Sequence, residues 1–523
     1  MGWFSQRHAV GVGIRPFVSI PAEQRETARF LRDLAGRDPV ETHISAVFVG
    51  ADTVWKLKKA VRLAFLDFTG LPARHRFLLR ELEVNRPAAA ELYRDVVPVV
   101  RRPDGALALG NGQQPRSDAV DWVLRMAPVP TEDFLDAIAV RHGLTPALLD
   151  ALADTVSAYH QALPPVAGVD SPAAMRAVAQ GNAVAARDAG LAEARVQTWL
   201  GSECAAIERI APWLALRAAS GFVRRAHGDL HLGNLCLWHG TPVPFDAIEF
   251  DEAMATIDLG YDLAFLLMDL DHRVTRDAAN RVLNRYVART GDAALTRGLP
   301  VFLSMRAMIR AQVEASRGNR DVAAAYLDRT FAYLAPPAPM VVAIGGLTGT
   351  GKSTLARALA PTLGAAPGAL VLRSDEIRKR QHGVAPEQRL PESAYSAAAS
   401  DTVFAELAAL LGVVAAGGHG VVADAMFLRP EQRAAVAHAA ASAGVPFLGL
   451  WLTAPTELLE ARLASRTGDA SDATIAVLHA AARNDRGGGD WVASDASDGG
   501  RALAQVQQAV QTRFGSHPRR EVC

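Results

Sequence analysis

The chain has 523 residues, 50% hydrophobic and 21% charged, which is too long for one ordinary core and excludes a disordered composition. Lys+Arg and Asp+Glu both number 55, so the formal net charge is zero and nothing favours a nucleic-acid or anionic-membrane partner. Cys204, Cys236 and Cys523 stand far apart without metal-ligand spacing and read as reduced cytosolic thiols.

Residues 1–17 lack the apolar core and cleavage site of a signal peptide, and Gln6 replaces the Ser or Thr of a myristoylation signal. The longest apolar candidate for a membrane span, 261–270, is broken by Asp262 and Asp269, so a soluble cytoplasmic protein is expected. Only five lysines occur, Lys56, Lys58, Lys59, Lys352 and Lys379, in a chain that otherwise uses arginine. An ammonium is a compact point charge that fits between phosphate oxygens, so each lysine merits individual attention.

In chain order, residues 43–61 alternate as a hairpin around a Gly-Ala-Asp turn, with Val47, Val49, Val54 and Leu57 on the apolar positions. Residues 74–92 read as a helix, 121–126 as a short strand, and 131–219 as largely helical. Residues 235–250 read as a second hairpin turning at 239–242, after which helices return from 258 to 333. The prolines Pro336, Pro337 and Pro339 then forbid helix and strand pairing and mark a short stiff linker. Beyond it come apolar strands at 340–344, 369–372, 420–423 and 447–452, separated by helical stretches. Alternating β and α units with apolar strands imply a parallel sheet buried on both faces.

Between the 340–344 strand and a helix from Lys352 stands Gly346-Leu-Thr348-Gly349-Thr350-Gly351-Lys352-Ser353, followed by Thr354. This is the G-x-x-x-x-G-K-[ST] phosphate loop in the strand–turn–helix context it requires. Its backbone N–H groups can curl around phosphate oxygens, Lys352 can reach the β/γ-phosphates of ATP, and Ser353 can ligate Mg²⁺. Asp375 follows the 369–372 strand and Asp424 follows the 420–423 strand, where ligands of open α/β sheets bind. This segment resembles the P-loop small-molecule kinases, including gluconate kinase and zeta-toxin-type kinases. The resemblance implies that Asp375 orients the acceptor hydroxyl, that nearby Arg378 contacts substrate or phosphate, and that Asp424 holds Mg²⁺ or substrate. Arg462 and Arg466, four apart on one helix face, would supply lid arginines to the transferring group, with Arg466 the preferred catalytic one.

The second anchor is His227-Gly-Asp229-Leu-His231-Leu-Gly-Asn234. Phosphoryl transfer to a hydroxyl needs a carboxylate for its proton and oxygen ligands for Mg²⁺, and this loop offers both. It resembles the catalytic loop of aminoglycoside phosphotransferases and of homoserine, choline and fructosamine kinases. The resemblance implies Asp229 as catalytic base and Asn234 as a metal ligand, with His227 holding the loop. It also calls for an acidic metal ligand after the loop, and Glu249, in Ile248-Glu249-Phe250, is preferred over Asp246. On a regular strand these two would point to opposite faces. Lys56 is placed as the phosphate-binding lysine, with Lys58 on the same strand face as the other choice, and Glu81 as the ion-pair partner. No G-x-G-x-x-G precedes this strand.

The order of these motifs, with THIS at 42–45, WKLKKAV at 55–61, FLDFTG at 65–70 and EFDEAMATIDLGYDLAF from Glu249, resembles the bifunctional aminoglycoside phosphotransferase/ATP-binding proteins over nearly the full chain. The implied fold is a bilobal protein-kinase-like α+β domain over 1–335 (small lobe 1–127, large lobe 128–335). A linker at 336–339 and a P-loop α/β domain over 340–523 complete it. The implied activity is an ATP- and Mg²⁺-dependent kinase for a small hydroxylated molecule. A nucleotide sensor in which one module binds without turnover, and an aminoglycoside-resistance enzyme, are the alternatives.

Overall fold

In the computed structural model, which describes residues 19–63, 66–111, 118–465, 469–485 and 487–515, period-two alternation sorts the N-terminal strand residues between two cores. Ser45–Val49 pairs antiparallel with Val54–Lys58, which pairs in turn with Ala119–Met126. Tyr93–Arg101 continues the sheet, and Val40–Glu41 and Leu107–Leu109 form its edges. Ala46, Phe48, Leu57 and Val123 pack on one face with Ala28 and Leu31 of the helix Arg25–Ala35. Val47, Val54, Leu124 and Met126 pack on the other with Leu78 of the helix Leu71–Ala89. Lys56 is paired with Val47 and Leu124, so its side chain falls on this second face, toward Leu71–Ala89.

After the sheet come the helices Pro146–Ala162, Ser171–Asp188 and Glu193–Ala219, then a small hairpin of Leu235–Trp238 and Thr241–Pro244. The hairpin expected over 235–250 stops at Pro244, and residues 245–249 run as irregular backbone. Tyr93–Arg101 and Val492–Asp495 are strands that periodicity left unmarked. Pro98 lies within the first, where a proline argues against a strand, and the second is a mostly exposed edge.

The chain folds into two compact units, Met1–Asp269 with Val301–Leu334, and Leu270–Pro300 with Ala335–Cys523. Residues 270–300, expected in the first module, therefore pack with the second unit. The cause is local. Helix Arg276–Thr290 lays Asn280 and Asn284 along the edge strand Leu370–Arg373. Asn280 Nδ2 donates to Ala369 O at 3.0 Å, and Asn284 Oδ1 accepts from Val371 N at 2.6 Å. Side-chain amides thus satisfy backbone groups that an edge strand leaves open.

The second unit is a five-stranded parallel sheet in the order Leu370–Arg373, Val421–Asp424, Val341–Gly346, Phe447–Thr453, Val492–Asp495. Its central strand is wholly buried, and Leu355, Leu359, Val506 and Val510 from two helices cover one face. Parallel pairing brings Ile344, Arg373 and Asp424 to one level at the carboxyl end of the sheet. The longest apolar helix is Ala397–Ala416 rather than the 261–270 stretch, with a mean hydropathy of 1.6 that would by length and composition allow a membrane crossing. Its Val403, Leu407, Leu411 and Val414 form a buried stripe within the second unit, and Glu406 accepts from Arg380 and Gln381.

His419 lies before the strand Val421–Asp424, fully buried, with Nε2 bonded to Gly368 O at 2.9 Å. Burial pushes its pKa down to about 4, and the bond to Gly368 only partly opposes this. A depressed folded pKa contributes stability that is present above the unfolded value of about 6.5 and lost as pH falls toward the folded value. Denaturant unfolding of the full chain should lose about 2 kcal/mol more between pH 7 and pH 5 than His419→Gln does. Equal pH dependence of the two proteins would contradict the assignment.

Candidate active sites

In the first unit the strand Val54–Lys58 sends Lys56 and Lys58 to one side, where both meet Glu81 of the helix Leu71–Ala89. Lys56 Nζ lies 2.6 Å from Glu81 Oε1 and 2.8 Å from Asp246 Oδ1. Lys58 Nζ lies 2.7 Å from Glu81 Oε2 and 2.5 Å from Glu249 Oε1. All five side chains are buried. Burial alone would favour a neutral Lys56, but Asp246, Glu81 and Glu249 outweigh it and hold the ammonium well above its ordinary pKa. Burial likewise opposes the charge on Glu81, and the two lysines reverse that and keep its pKa low.

Residues 245–249 reach this cluster because their backbone is tied from several sides. Phe245 N donates to Asn234 O at 3.0 Å, and the Phe245 carbonyl meets His227 Nε2 at 2.9 Å. Asp246 N donates to the Tyr93 hydroxyl at 3.0 Å, and Ala247 N donates to Asn85 Oδ1 at 2.9 Å. Asp246 takes φ +65°, a left-handed conformation that aspartate tolerates better than most residues. Asp246 and Glu249 therefore do not take the opposite faces that a regular strand would give them. There is no regular strand at these positions, and both carboxylates turn to the lysine cluster.

Asp229 Oδ2 accepts from Asn234 Nδ2 at 2.9 Å, and His231 Nε2 stands 3.6 Å from the same oxygen. Asn234 Oδ1 is buried and has no hydrogen-bond partner among the described residues. The loop is held from below by Asp262, which accepts from His227 N at 3.1 Å, Gly228 N at 2.9 Å and His160 Nε2. Gly228 has φ +83°, and a Cβ there would lie 2.7 Å from Ile248 Cδ1, so only glycine lets the loop pass this close to residues 245–249. Arg306 donates to Gly228 O at 3.0 Å. Tyr93, Asn85 and Arg306 carried no sequence signal, since each acts across a long separation.

In the second unit residues 348–354, Asp375, Asp424 and Arg462 line one cleft of about 1050 Å³. Gly346 turns the chain at φ +132°, where a Cβ would meet Leu452 O at 2.4 Å. Lys352 Nζ donates to the carbonyls of Gly346 at 3.0 Å and Leu347 at 2.8 Å. Ser353 Oγ donates to Asp424 Oδ2 at 2.6 Å. Arg373, which in sequence is only the end of an apolar strand, binds this pair: Nε reaches Asp424 Oδ2 at 3.1 Å and Nη2 reaches Ser353 Oγ at 2.9 Å. It also meets Asp469 and Glu376. Burial raises the Asp375 carboxyl above its ordinary range, against the pull of Arg373. Arg462 reaches Gly349 O and Ser497 O. Arg466 lies outside the described residues. Among the described residues no three of His, Cys, Asp and Glu converge as a ready-made metal cage.

Residues 341–484 match the family model described as AAA domain. The adenylyl-sulfate kinase of Myxococcus xanthus (strain DK1622) is 32% identical over 128 residues, 24% of this chain and 63% of that protein. Residues 341–484 are thus similar in sequence to a P-loop kinase. An uncharacterized protein of Mycobacterium tuberculosis (strain ATCC 25618 / H37Rv) is 27% identical over 475 residues, spanning 87% of this chain and 90% of its own length. The crystal structure of choline kinase from Cryptosporidium parvum Iowa II aligns with 55% of this chain and 86% of its own at 11% identity, with a TM-score of 0.36. The first unit combines a six-stranded sheet with helices in an α+β arrangement, and the second is a P-loop α/β fold with a parallel sheet.

Arg373 gathers three carboxylates and Ser353, and removing it would strand buried negative charge. Arg373→Met should cost about 3–5 kcal/mol of the second unit's stability in denaturant unfolding. Unchanged stability would show that Asp424, Asp469 and Glu376 are satisfied without it.

Proposed function

We propose that the chain is an ATP-dependent phosphotransferase with two nucleotide sites, passing the γ-phosphoryl group of Mg·ATP to a hydroxyl of a sugar-like or other hydroxylated metabolite. The observation that carries this reading is the cleft in which the phosphate loop, the Ser353–Asp424 pair and Asp375 meet. The M. xanthus relative, a kinase by name, lends it support. ATP supplies the phosphoryl group, and Mg²⁺ when bound neutralises its charge.

Both sites offer the oxygen donors that Mg²⁺ takes, a carboxylate with a hydroxyl or amide oxygen, leaving room for substrate phosphates. In the second unit these are Ser353 and Asp424. Lys352, now bonded to loop carbonyls, can turn its ammonium to phosphate oxygens. Asp375 accepts the proton of the acceptor hydroxyl as the new O–P bond forms and the bridging bond of ATP breaks to leave ADP. Its raised pKa suits a group that takes a proton in the transition state. Arg378 lines the same cleft, buried, with its guanidinium over the Tyr395 ring and with no carboxylate in ion-pair range among the described residues. An acceptor carrying its own negative group would supply that missing counter-charge.

In the first unit Asp229 is the base, and the hydrogen bond from Asn234 Nδ2 orients it. Asn234 Oδ1, buried without a partner among the described residues, and Asp246, beside Lys56, would hold the metal. Lys56 binds phosphate and Glu81 orients it. Asp246 takes this place instead of Glu249 because it follows directly on Phe245, which is bonded to Asn234.

The test is ATP consumption by the full chain screened against sugars, aminoglycosides, nucleosides and their anionic derivatives. For an acceptor used by the first unit, Asp229→Asn should lower kcat about a hundredfold or more with little change in nucleotide affinity. Lys352→Ala should abolish the second unit's turnover and spare the first. A raised KM with unchanged kcat in Asp229→Asn would assign that residue to binding. Nucleotide binding without turnover of any acceptor would favour a sensor.

A further inference from the structure

Glu81 is held by two lysines, one on each carboxylate oxygen, although a single lysine suffices to pair one carboxylate. The two differ in what stands behind them. Lys56 connects Glu81 to Asp246, the residue assigned above to the metal, and its side chain keeps 5% exposure. Lys58 connects Glu81 to Glu249, and its side chain is fully enclosed. Phe68 closes over Lys58, with its ring centre 5.5 Å from Nζ.

This asymmetry has an electrostatic consequence. Two ammonium groups face three carboxylates, one net negative charge among these five buried side chains. When Lys56 shares its ammonium with phosphate oxygens and Asp246 turns to a cation, Glu81 keeps Lys56 as a partner but with only part of its charge to itself. A buried carboxylate short of counter-charge is driven to move or to take up a proton. Lys58 stays with Glu81 in full, and Glu249 fixes Lys58. Burial opposes the charge on Lys58, yet Glu249 and Glu81 together keep it protonated.

The geometry points to Glu249 as a positioning residue that acts through Lys58: the Glu249–Lys58 pair holds Glu81 in place to orient Lys56 while Lys56 shares its charge with the phosphates and Asp246 turns to the cation of Mg·ATP. This rests on the reading of the first unit as a Mg·ATP site. Asn85 strengthens the link, since it donates to Glu81 O one helical turn away and accepts from Ala247 N. Residues 245–249 and the helix Leu71–Ala89 are therefore joined at Asn85 and again through Lys58.

The experiment uses the full chain with Lys352→Ala, so that only the first unit binds nucleotide. Mg·ATP affinity and the Mg²⁺ concentration for half-saturation are measured for Glu249→Gln, Lys58→Met and the double variant. Each single change is expected to weaken Mg·ATP about tenfold, and the double change no more than either, because both break one relay. The half-saturating Mg²⁺ concentration should stay unchanged, and Lys58→Arg should restore most of the affinity. If Lys58→Met does not fold by circular dichroism, Lys58→Gln takes its place in the cycle. A raised Mg²⁺ requirement in Glu249→Gln alone would make Glu249 a metal ligand and overturn the proposal. Losses that multiply to about a hundredfold, or no loss at all, would overturn it too. Failure of the Lys352→Ala parent to bind any Mg·ATP would instead overturn the site reading on which it rests.

Discussion

A charge taken out of water must meet an opposite charge or a set of aimed donors, and both units are arranged around that requirement. In the first, Glu81, Asp246 and Glu249 surround Lys56 and Lys58, and in the second, Asp424, Asp469 and Glu376 surround Arg373. Desolvation opposes the charge on Lys56, Lys58, Glu81 and Arg373, and their partners outweigh it. The pairing brings a strand, a helix and a loop to a common point in each unit. The same enclosure makes each site sensitive to a new charge, since phosphates and a divalent cation change the balance where screening is weakest.

The backbone does similar work with neutral groups. Asp262 accepts two consecutive N–H groups of the HGD loop and a histidine, which fixes the loop before any ligand arrives. Gly228 and Gly346 serve close approach, each where a single extra carbon would strike a neighbour. Rigid loops of this kind lower the reorganisation required when charge develops in a transition state.

Much of this was legible in the sequence, and a definite part was not. The phosphate loop was legible because its chemistry depends on glycines, a lysine and a serine in fixed local register. The strand alternation around Lys56 was legible for the same local reason, and Lys56 and Lys58 do lie on one side of it. Residues 245–249 were misread because period-two reasoning assumes a regular strand. Their course is decided by Tyr93, Asn85 and Asn234, which meet them from other elements. Helix Arg276–Thr290 shows the same limit. Its amphipathic pattern announces a buried face, while its hydrogen bonds to residues 369 and 371 come from two polar residues, Asn280 and Asn284. Arg373 was hidden by its place at the end of an apolar strand, where its partners Asp424 and Asp469 are far along the chain.

If both proposed sites take nucleotide independently, one chain binds two nucleotides. Native mass spectrometry of the full chain with a non-hydrolysable Mg·ATP analogue counts them directly. Two bound nucleotides per chain, with distinct affinities, is the result this account predicts. Saturation at one nucleotide per chain would contradict it, whichever unit held the ligand.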